Sequence, residues 1–218
     1  MNLLAIETAT AACSVALKVG DQWLDRHRAG PRVHAEVLVP WISELLVEAG
    51  LTYSDLDAIA VDRGPGGFTS LRLGLGAAQG IALAHDHRCH PVSSLAALAM
   101  AARPGGYTGP MLAAIDARMG ELYAAWFEFG TDGFPVPVGR EMLLAPEALQ
   151  AGERTGFIAA GNALAVHGQA LVGVLAEAGA TFPDAWPTAR AVAALAGRVE
   201  PVPAHRLEPV YLRDDVTG

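Results

Sequence analysis

Residues 63–69 read Arg-Gly-Pro-Gly-Gly-Phe-Thr, and this stretch joins two segments of different periodicity. Before it, Leu56–Val61 is a short apolar run that predicts a buried strand. After it, Phe68–His85 is apolar around nearly its whole circumference and predicts a helix. Glycine and proline in the joining loop end the strand and set the start of the helix. The three pieces together predict one strand–loop–helix unit of an α/β domain.

Segments on both sides of this unit continue the alternation of strands and helices. Upstream, the apolar spacing predicts three strands of an antiparallel meander and one helix: Leu3–Glu7, Ser14–Val19, Gln22–Arg28 and Val33–Ala49. Downstream, the predicted elements include the strands Met111–Asp116, Glu121–Phe129 and Gly156–Ala160 and the helices Gly168–Ala178 and Thr188–Arg198. Arg103–Gly109 contains one proline and three glycines and is the best candidate for a linker. We therefore expect an α/β protein of two lobes.

The charge balance limits the classes of partner. The 218 residues include 15 lysines and arginines against 23 acids, a net charge of −8, and no basic run. A protein that binds nucleic acid alone usually presents a basic face, because neutralised phosphates supply most of the affinity. Charged residues make up only 17% of the chain, so a large surface is either buried or faces a partner. If RNA is involved, we expect another subunit to hold it.

The N-terminus and the two cysteines favour a cytoplasmic protein. Met1–Thr8 has neither a positive region nor a cleavage site, so we do not expect a signal peptide. No stretch of about 20 apolar residues lacks polar breaks, which argues against a membrane span. Cys13 and Cys89 lie far apart without ligand spacing, which predicts reduced thiols.

The two long helices are more apolar than one buried face requires. The polar residues of Val33–Ala49 form one narrow stripe, so apolar residues cover most of the circumference of this helix. A helix that packs on one sheet needs an apolar stripe only about 100° wide. In the second helix, Gly74, Gly76 and Gly80 do not have the G-x-G-x-x-G spacing of a phosphate loop, and the last two share a face. Each glycine weakens a helix by about 1 kcal/mol relative to alanine. We therefore expect another helix to pack closely against this face.

Two loops invite comparison with phosphate-binding sites. Gly64–Gly67 precedes a helix and could present N–H groups to an anion, but a rigid turn that sets the start of the helix is the favoured interpretation. Glu7, Thr8 and Thr10 end the first strand and resemble the first phosphate loop of actin-like ATPases, where an acid and hydroxyls meet phosphate and metal. A strand followed by such a turn is also common without nucleotide. These three residues are the candidate for a degenerate nucleotide loop with weak or vestigial binding.

Two clusters of ionisable residues suggest other chemistry. His85, His87, Cys89 and His90 lie within six residues, but their spacing matches no usual zinc pattern. Basic side chains are also favourable at a helix C-terminus without any metal. Asp116–Glu121 holds two acids and an arginine around a turn, which fits either an acid–base pair or a solvated β-turn with a local ion pair. Because no G-x-S-x-G or H-E-x-x-H motif is present, we expect neither a catalytic residue nor a metal.

Four segments, in chain order, resemble the bacterial TsaB (YeaZ) family: Leu3–Ala16, Arg63–Thr69 with its continuation to Gly80, Ala114–Tyr123 and Glu208–Arg213. The resemblance implies an actin/Hsp70-like (ASKHA) duplicated fold whose two lobes each have a mixed sheet and flanking helices. The implied lobes are residues 1–103 and 110–204, with the tail 205–218 returning to the first. It also implies a role in forming threonylcarbamoyladenosine at adenosine 37 of tRNAs that read codons beginning with A.

The resemblance also implies a division of labour. The catalytic relative, TsaD, carries a His-x-x-x-His metal pair, and in this sequence Ser94 and Leu98 stand at those two places. Neither is a usual metal ligand. The resemblance therefore implies that this chain is a pseudo-enzyme that binds and activates TsaD. The ATPase TsaE is expected to join the pair. This chain is also expected to form homodimers in isolation and to meet tRNA only indirectly.

The apolar helices and the family role together give a hypothesis for the partner interface. Eight residues are expected at or beside it: Leu38, Trp41, Ile42, Leu45, Phe68, Leu73, Gly76 and Gly80. Three other functions stay open. They are a metallo-endopeptidase of the glycoprotease (M22) type, an actin-like ATP-dependent kinase suggested by Glu7–Thr10, and a homodimeric structural protein.

Overall fold

The computed structural model of the chain describes residues 1–213. Its strands are β1 (Asn2–Glu7), β2 (Ala12–Val19), β3 (Gln22–Ala29), β4 (Ala58–Asp62), β5 (Arg88–Val92), β6 (Gly109–Arg118), β7 (Glu121–Phe129), β8 (Pro135–Leu144), β9 (Phe157–Ala160), β10 (Ala178–Phe182) and β11 (Val202–Pro203). Its α-helices are α1 (Val33–Glu48), α2 (Phe68–His85), α3 (Ser94–Ala102), α4 (Ala163–Val166), α5 (Val172–Leu175) and α6 (Ala189–Leu195).

The first compact unit combines residues 1–97 with residues 187–210. Its sheet has the order β11-β5-β4-β1-β2-β3. The meander β1-β2-β3 is antiparallel, as expected from the sequence, whereas β4 and β5 run parallel to β1. The strand–loop–helix unit predicted around Arg63–Thr69 is therefore a crossover, with α2 connecting two parallel strands.

Both faces of this sheet are buried. On β1, Leu4 and Ile6 belong to the apolar cluster that α1 and α2 form with the sheet. Ala5 is equally buried and points to the opposite face, because side chains alternate along a strand. There α6 packs against β1, β2 and β4, and the N–H of Ala189 donates a 3.0 Å hydrogen bond to Ser14 Oγ. Apolar residues at successive positions of β1 follow from this two-sided burial.

The second compact unit contains residues 98–186 and, of the described C-terminal residues, 211–213. Its sheet has the order β10-β9-β6-β7-β8, in which β6-β7-β8 is an antiparallel meander and β9 and β10 run parallel to β6. Strand for strand, this is the arrangement β5-β4-β1-β2-β3 of the first unit. The two units repeat one topology, which confirms the expected duplicated α/β fold with two mixed sheets.

The two compact units differ from the predicted lobes in three places. The boundary falls within α3, after Ala97, and not in Arg103–Gly109. Residues 187–204 belong to the first unit, because α6 covers the first sheet. An alanine-rich helix carries no sequence signal for the sheet it covers, since small side chains pack against either. Of the predicted tail 205–218, residues 205–210 do return to the first unit, residues 211–213 belong to the second, and 214–218 lie outside the described residues.

Two element predictions in the second unit also need correction. The helix expected over Gly168–Ala178 is replaced by the short α5, followed by β10. Glycines at 168 and 173 weaken any longer helix here. The sequence pattern missed β8, whose first residue is Pro135 and none of whose side chains is buried. Such a strand lacks the apolar alternation on which the prediction depends, and it lies at a sheet edge, where proline is tolerated.

Helix α2 begins and ends where the sequence predicts. Leu71, Gly74, Leu75, Ala78 and Ala82 are its buried positions and face the first sheet. Its remaining positions include exposed apolar residues. Even so, none of the helices within residues 1–213 is long and apolar enough to cross a membrane.

Candidate functional site

Two buried acids meet at one edge of the first sheet. β1 and β4 are parallel neighbours, so their last residues, Glu7 and Asp62, lie side by side at the carboxyl ends of the strands. Ser94, the first residue of α3, is buried beside Asp62. All three side chains are completely inaccessible to solvent. We call Glu7, Asp62 and Ser94 the carboxylate cluster.

The turn after β1 is hydrogen-bonded to these acids. The Thr8 N–H donates to Asp62 Oδ1 at 2.9 Å, and the Thr8 hydroxyl donates to the same oxygen at 3.3 Å. The Ala9 N–H donates to Glu7 Oε1 at 2.9 Å, and the Ala12 N–H donates to Thr10 Oγ1 at 3.3 Å. These three backbone donors of the turn are therefore occupied by the chain's own side chains and cannot also bind a phosphate.

The other oxygen of each acid has no hydrogen-bond partner. Glu7 Oε2, Asp62 Oδ2 and Ser94 Oγ are all buried without a bond of normal geometry among the described residues. Burial raises the pKa of Asp62 to about 7, although the two bonds from Thr8 and the adjacent Ser94 hydroxyl oppose the shift. Burial, and then the nearby charge of Asp62, raise the pKa of Glu7 well above its usual value. The pair therefore retains a proton at a pH at which isolated carboxyls are ionised.

The N-terminal part of α2 and the loop before it pack against the turn that follows β1. A methyl group built on Gly74 would overlap Thr8 Oγ1, and one built on Gly66 would overlap the Ala9 carbonyl oxygen. The Gly67 N–H donates to the same carbonyl at 2.7 Å. The backbone at Gly66 and Gly74 thus packs directly on the turn after β1, and only glycine allows the approach. This observation favours the rigid-turn interpretation of Gly64–Gly67 over anion binding.

The unpartnered oxygens of the carboxylate cluster are hard donors. Two carboxylates and a hydroxyl suit a small divalent cation such as magnesium better than a zinc ion, which prefers nitrogen and sulfur. They do not suit a phosphate, which they would repel. Of the residues expected in a degenerate nucleotide loop, Glu7, Thr8 and Thr10 do lie together, but Glu7 and Thr8 are completely buried. Asp62 and Ser94 complete this arrangement.

The histidine cluster near the end of α2 does not converge on one point. His87 Nε2 lies 2.8 Å from the Tyr53 carbonyl oxygen, and His90 Nδ1 lies 2.8 Å from the Ala196 carbonyl oxygen. The His85 ring stacks between those of Tyr53 and His87. Within residues 1–213, no group of three or more histidines, cysteines or acids is placed to hold a metal ion. These histidines have local structural contacts instead.

In the hairpin between β6 and β7 of the second unit, the acids Asp116 and Glu121 both have hydrogen-bond or ion-pair partners. Asp116 Oδ1 lies 3.1 Å from His167 Nε2, and the Asp116 N–H donates to Asn162 Oδ1 at 3.1 Å. Arg118 reaches Asp116 Oδ2 at 3.5 Å, and Glu121 pairs with Arg213. The local ion pair of the sequence analysis is present. The solvated turn is wrong for Asp116, however, because its side chain is only 4% exposed.

Asp116 occupies the same place in the second unit that Glu7 occupies in the first. Each acid lies near the end of the central strand, β6 or β1, just before the hairpin to the next strand. In the second unit, histidine and arginine face the acid. In the first unit, a second acid faces it. An acid is therefore present at the equivalent position of both units. Among the described residues, a residue of opposite charge faces it only in the second unit.

The eight residues predicted at a partner interface divide into two groups. Leu38, Ile42 and Leu45 are buried in the core of the first unit, so the prediction that they contact a partner is corrected. They lie on the α1 face that packs on the sheet. Trp41 is half-buried against the same core. Phe68, Leu73, Gly76 and Gly80 are exposed on α2.

The exposed residues of α2 form a continuous seam. Thr69, Leu73, Gly76, Gly80 and Leu83 follow one another at alternating spacings of four and three residues. This is the spacing that places side chains in one line along a helix that packs on another helix. A methyl group built on Gly76 or Gly80 would meet nothing within 4 Å. We call these five residues the α2 seam, and no described residue of the chain covers its two glycines.

Comparison with known proteins gives a consistent result. The family model for TsaD, the tRNA N6-adenosine threonylcarbamoyltransferase, matches residues 29–170. The tRNA threonylcarbamoyladenosine biosynthesis protein TsaB of Haemophilus influenzae is 34% identical over all of this chain and 95% of its own length. The Escherichia coli protein of the same name is 42% identical over 67% of this chain, a match that spans 64% of that protein. The crystal structure of YeaZ from Pseudomonas aeruginosa superimposes with a TM-score of 0.85 at 36% identity, covering 97% of this chain and 99% of that one.

Proposed function

The chain belongs to the TsaB (YeaZ) family, and we propose that it is a non-catalytic subunit in the synthesis of threonylcarbamoyladenosine in tRNA. In this proposal it binds and activates a TsaD homologue, and the ATPase TsaE joins the pair. When the chain is alone, a second copy takes the place of TsaD. The transferred group and the tRNA are then handled by the TsaD homologue.

The α2 seam is the observation that carries the proposal. Leu73 is 38% exposed and Leu83 is 66% exposed, on a helix whose opposite face is fully buried. Between them, Gly76 and Gly80 leave the backbone uncovered. Glycines in an exposed helix reduce its stability by about 1 kcal/mol each, which is offset if a partner helix packs at the short end of the usual 8–10 Å range. The leucines at either end then supply apolar contact.

Exposed apolar residues are also present on α1, which contacts α2, and at the start of α2. Val39 and Val47 of α1 are 60% and 78% exposed, and Phe68 at the start of α2 is 43% exposed. The Arg72 guanidinium lies 3.4 Å from the centre of the Phe68 ring, which holds this aromatic side chain in place. Apolar residues with an aromatic ring and an arginine are the typical composition of a protein interface core. A tRNA would not be attracted to this chain, which carries a net charge of −8.

The carboxylate cluster supports the non-catalytic part of the proposal. Ser94 and Leu98 stand where TsaD has its metal-binding histidines, and Leu98 is completely buried in the core. The N–H groups of Thr8 and Ala9 are bonded to Asp62 and Glu7 and are not available for phosphate. Catalysis by a buried pair of acids would also need access for substrate, and both acids have no exposed surface.

The test is co-elution of the purified chain with a TsaD homologue in size-exclusion chromatography. Gly76→Leu and Gly80→Leu together should weaken the complex at least tenfold, because two isobutyl groups would separate the helices. Gly173→Leu is the matched control, since Gly173 is also exposed with nothing within 4 Å of an added methyl group, but lies in the second unit. Circular dichroism should show that all variants remain folded.

A second measurement separates the proposal from its alternatives. Reconstituted tRNA modification with the TsaD homologue should fall in the Gly76→Leu, Gly80→Leu variant and not in Gly173→Leu. Unchanged co-elution and unchanged modification would reject the α2 seam as the interface. Turnover of ATP by the isolated chain would favour a kinase, and chelator-sensitive peptide cleavage would favour a metallo-endopeptidase.

A further inference from the structure

The duplicated topology reveals a difference between the two sheets at equivalent edges. β5 in the first unit and β10 in the second are the last parallel strand of their sheets. In the first unit, β11 covers the outer edge of β5 as a short antiparallel strand, with Val202 opposite Cys89 and Pro203 opposite Arg88. In the second unit, no strand within residues 1–213 pairs with the outer edge of β10.

The outer edge of β10 presents backbone groups to solvent. The Phe182 carbonyl accepts a 3.0 Å hydrogen bond from the Gly161 N–H, so the amide groups of Phe182 face β9. Amide groups of successive residues in a parallel strand point to opposite sides, so the N–H and C=O of Thr181 face outward. The four residues from Gly179 to Phe182 are all exposed.

β10 has an irregular register with β9 between Ala178 and Ala180, but it lacks the charges and prolines that protect the other edges. β3 carries Asp25, Arg26 and Arg28, and β8 carries two prolines and Arg140. Charges and prolines of this kind prevent another strand from pairing with an exposed edge. The sequence of β10 is Ala-Gly-Ala-Thr-Phe, with neither a charge nor a proline. The edge is therefore chemically open to an additional strand.

We propose that β10 is a docking site for an extended segment of a partner protein, which adds to the sheet as an antiparallel strand with basic residues at both ends. The antiparallel β11 on β5 is the precedent for this geometry within the same chain. Exposed acids flank the strand, Glu177 immediately before it and Asp184 two residues after it. A basic residue at each end of the segment would face one of these acids.

The same charges disfavour a second copy of this chain as the occupant. Antiparallel pairing of β10 with its own copy about a two-fold axis would bring Glu177 of one chain towards Asp184 of the other at both ends. Like charges directly across an antiparallel pair are destabilising. A groove of about 490 Å³ lies beside the strand, lined by Ala102, Phe182, Asp184 and their neighbours, and offers space for one side chain of the added segment.

The test uses two defined peptides and nuclear magnetic resonance of the labelled full chain. The basic probe is acetyl-Lys-Val-Thr-Val-Thr-Val-Thr-Lys-amide, and the acidic probe has glutamate in place of both lysines. The basic peptide should shift the amide resonances of Ala178–Phe182 and bind at least threefold more tightly than the acidic one. Thr181→Pro should reduce its binding at least tenfold, because proline removes the outward N–H. Thr181→Val, which keeps that N–H, should leave binding within twofold.

Three results would overturn this inference. The first is the absence of resonance shifts in β10 at millimolar basic peptide. The second is equal binding of the two peptides, or equal binding by the Thr181→Pro and Thr181→Val variants. The third is a concentration-dependent shift of the same amides without peptide, which would identify a second copy as the occupant. The β10 site lies in the second unit, so a negative result with the peptides does not bear on the α2 seam as the interface with a TsaD homologue. The Gly76→Leu, Gly80→Leu variant tests that interface separately.

Discussion

The backbone of Gly74 lies directly against the side chain of Thr8. A methyl group at Gly74 would overlap the Thr8 hydroxyl oxygen, which itself donates to Asp62. One residue of α2 thus determines how closely the helix approaches the carboxylate cluster. Two residues further along the same helix, Gly76 faces open space. Two glycines of one helix therefore serve different purposes, and mutation can separate them.

Gly74→Ala should lower the free energy of unfolding by about 1–3 kcal/mol, the usual cost of overpacking a filled core. Gly76→Ala should raise it by up to about 1 kcal/mol, because alanine is the better helix former and has room. Urea denaturation of both variants measures the difference. Similar effects of the two substitutions would contradict the packing described for Gly74.

The stability of the chain should depend on pH through Asp62. Burial raises the pKa of Asp62 to about 7 in the folded chain, from an ordinary value of 3.8. The folded form therefore holds a proton that the unfolded form releases. The stabilisation from this proton is fully present below about pH 3.8 and is lost as the pH rises to about 7.

Asp62→Asn isolates this contribution, because asparagine keeps an oxygen for the Thr8 N–H and carries no charge. Relative to the unmodified chain, the variant should gain about 3 kcal/mol in the free energy of unfolding between pH 5 and pH 8. Urea titrations at the two pH values give this comparison. A difference that stays constant with pH would show that Asp62 is ionised throughout.

Removal of His167 should destabilise the second unit. Its ring contacts Asp116, whose side chain is almost entirely buried. His167→Ala leaves that carboxylate with one fewer partner, a loss that typically costs about 1–3 kcal/mol. His27→Ala on the exposed face of β3 is the control and should change stability by less than about 0.5 kcal/mol. Equal effects in thermal denaturation would mean that the Asp116 contact is not structural.

Both cysteines should resist alkylation in the folded chain. Cys13 and Cys89 are completely buried, and burial raises the pKa of their thiols to about 12 and about 11. Since the thiolate is the reactive form, iodoacetamide at pH 8 should label neither residue until denaturant is added. Mass spectrometry before and after unfolding tests this. Labelling of either thiol in the native chain would indicate local opening of the first sheet.

Much of the first unit could be predicted from the sequence because its signals are local. Alternating or continuous apolar runs identified β1, β2, β3 and β4, and the loop Arg63–Gly67 marked the start of α2. The glycines within α2 could be recognised as unsuited to a phosphate loop from spacing alone. Their separate roles could not, since Gly74 packs on Thr8, a residue far away in the sequence.

The candidate site was only half visible in the sequence. Glu7 is recognisable because it ends an apolar strand before a turn of hydroxyl residues, whereas Asp62 follows the apolar run Leu56–Val61 without such a motif. The two are 55 residues apart and meet because β1 and β4 pair in parallel. A signal was available: acids at the ends of two strands in one α/β unit are expected at the same sheet edge.

Local periodicity by itself determined β1 to β4, α1 and α2 of the first unit and the strands β6 and β7 of the second, and a family resemblance identified the duplicated arrangement. The tertiary structure alone decided that Leu38, Ile42 and Leu45 are core residues and that α6 belongs to the first unit. It also decided that the edge of β10 is open while that of β5 is covered. The physical reason is that hydrogen bonding and periodicity act between near neighbours, whereas burial, strand pairing and the pKa of an acid depend on residues that only folding brings together.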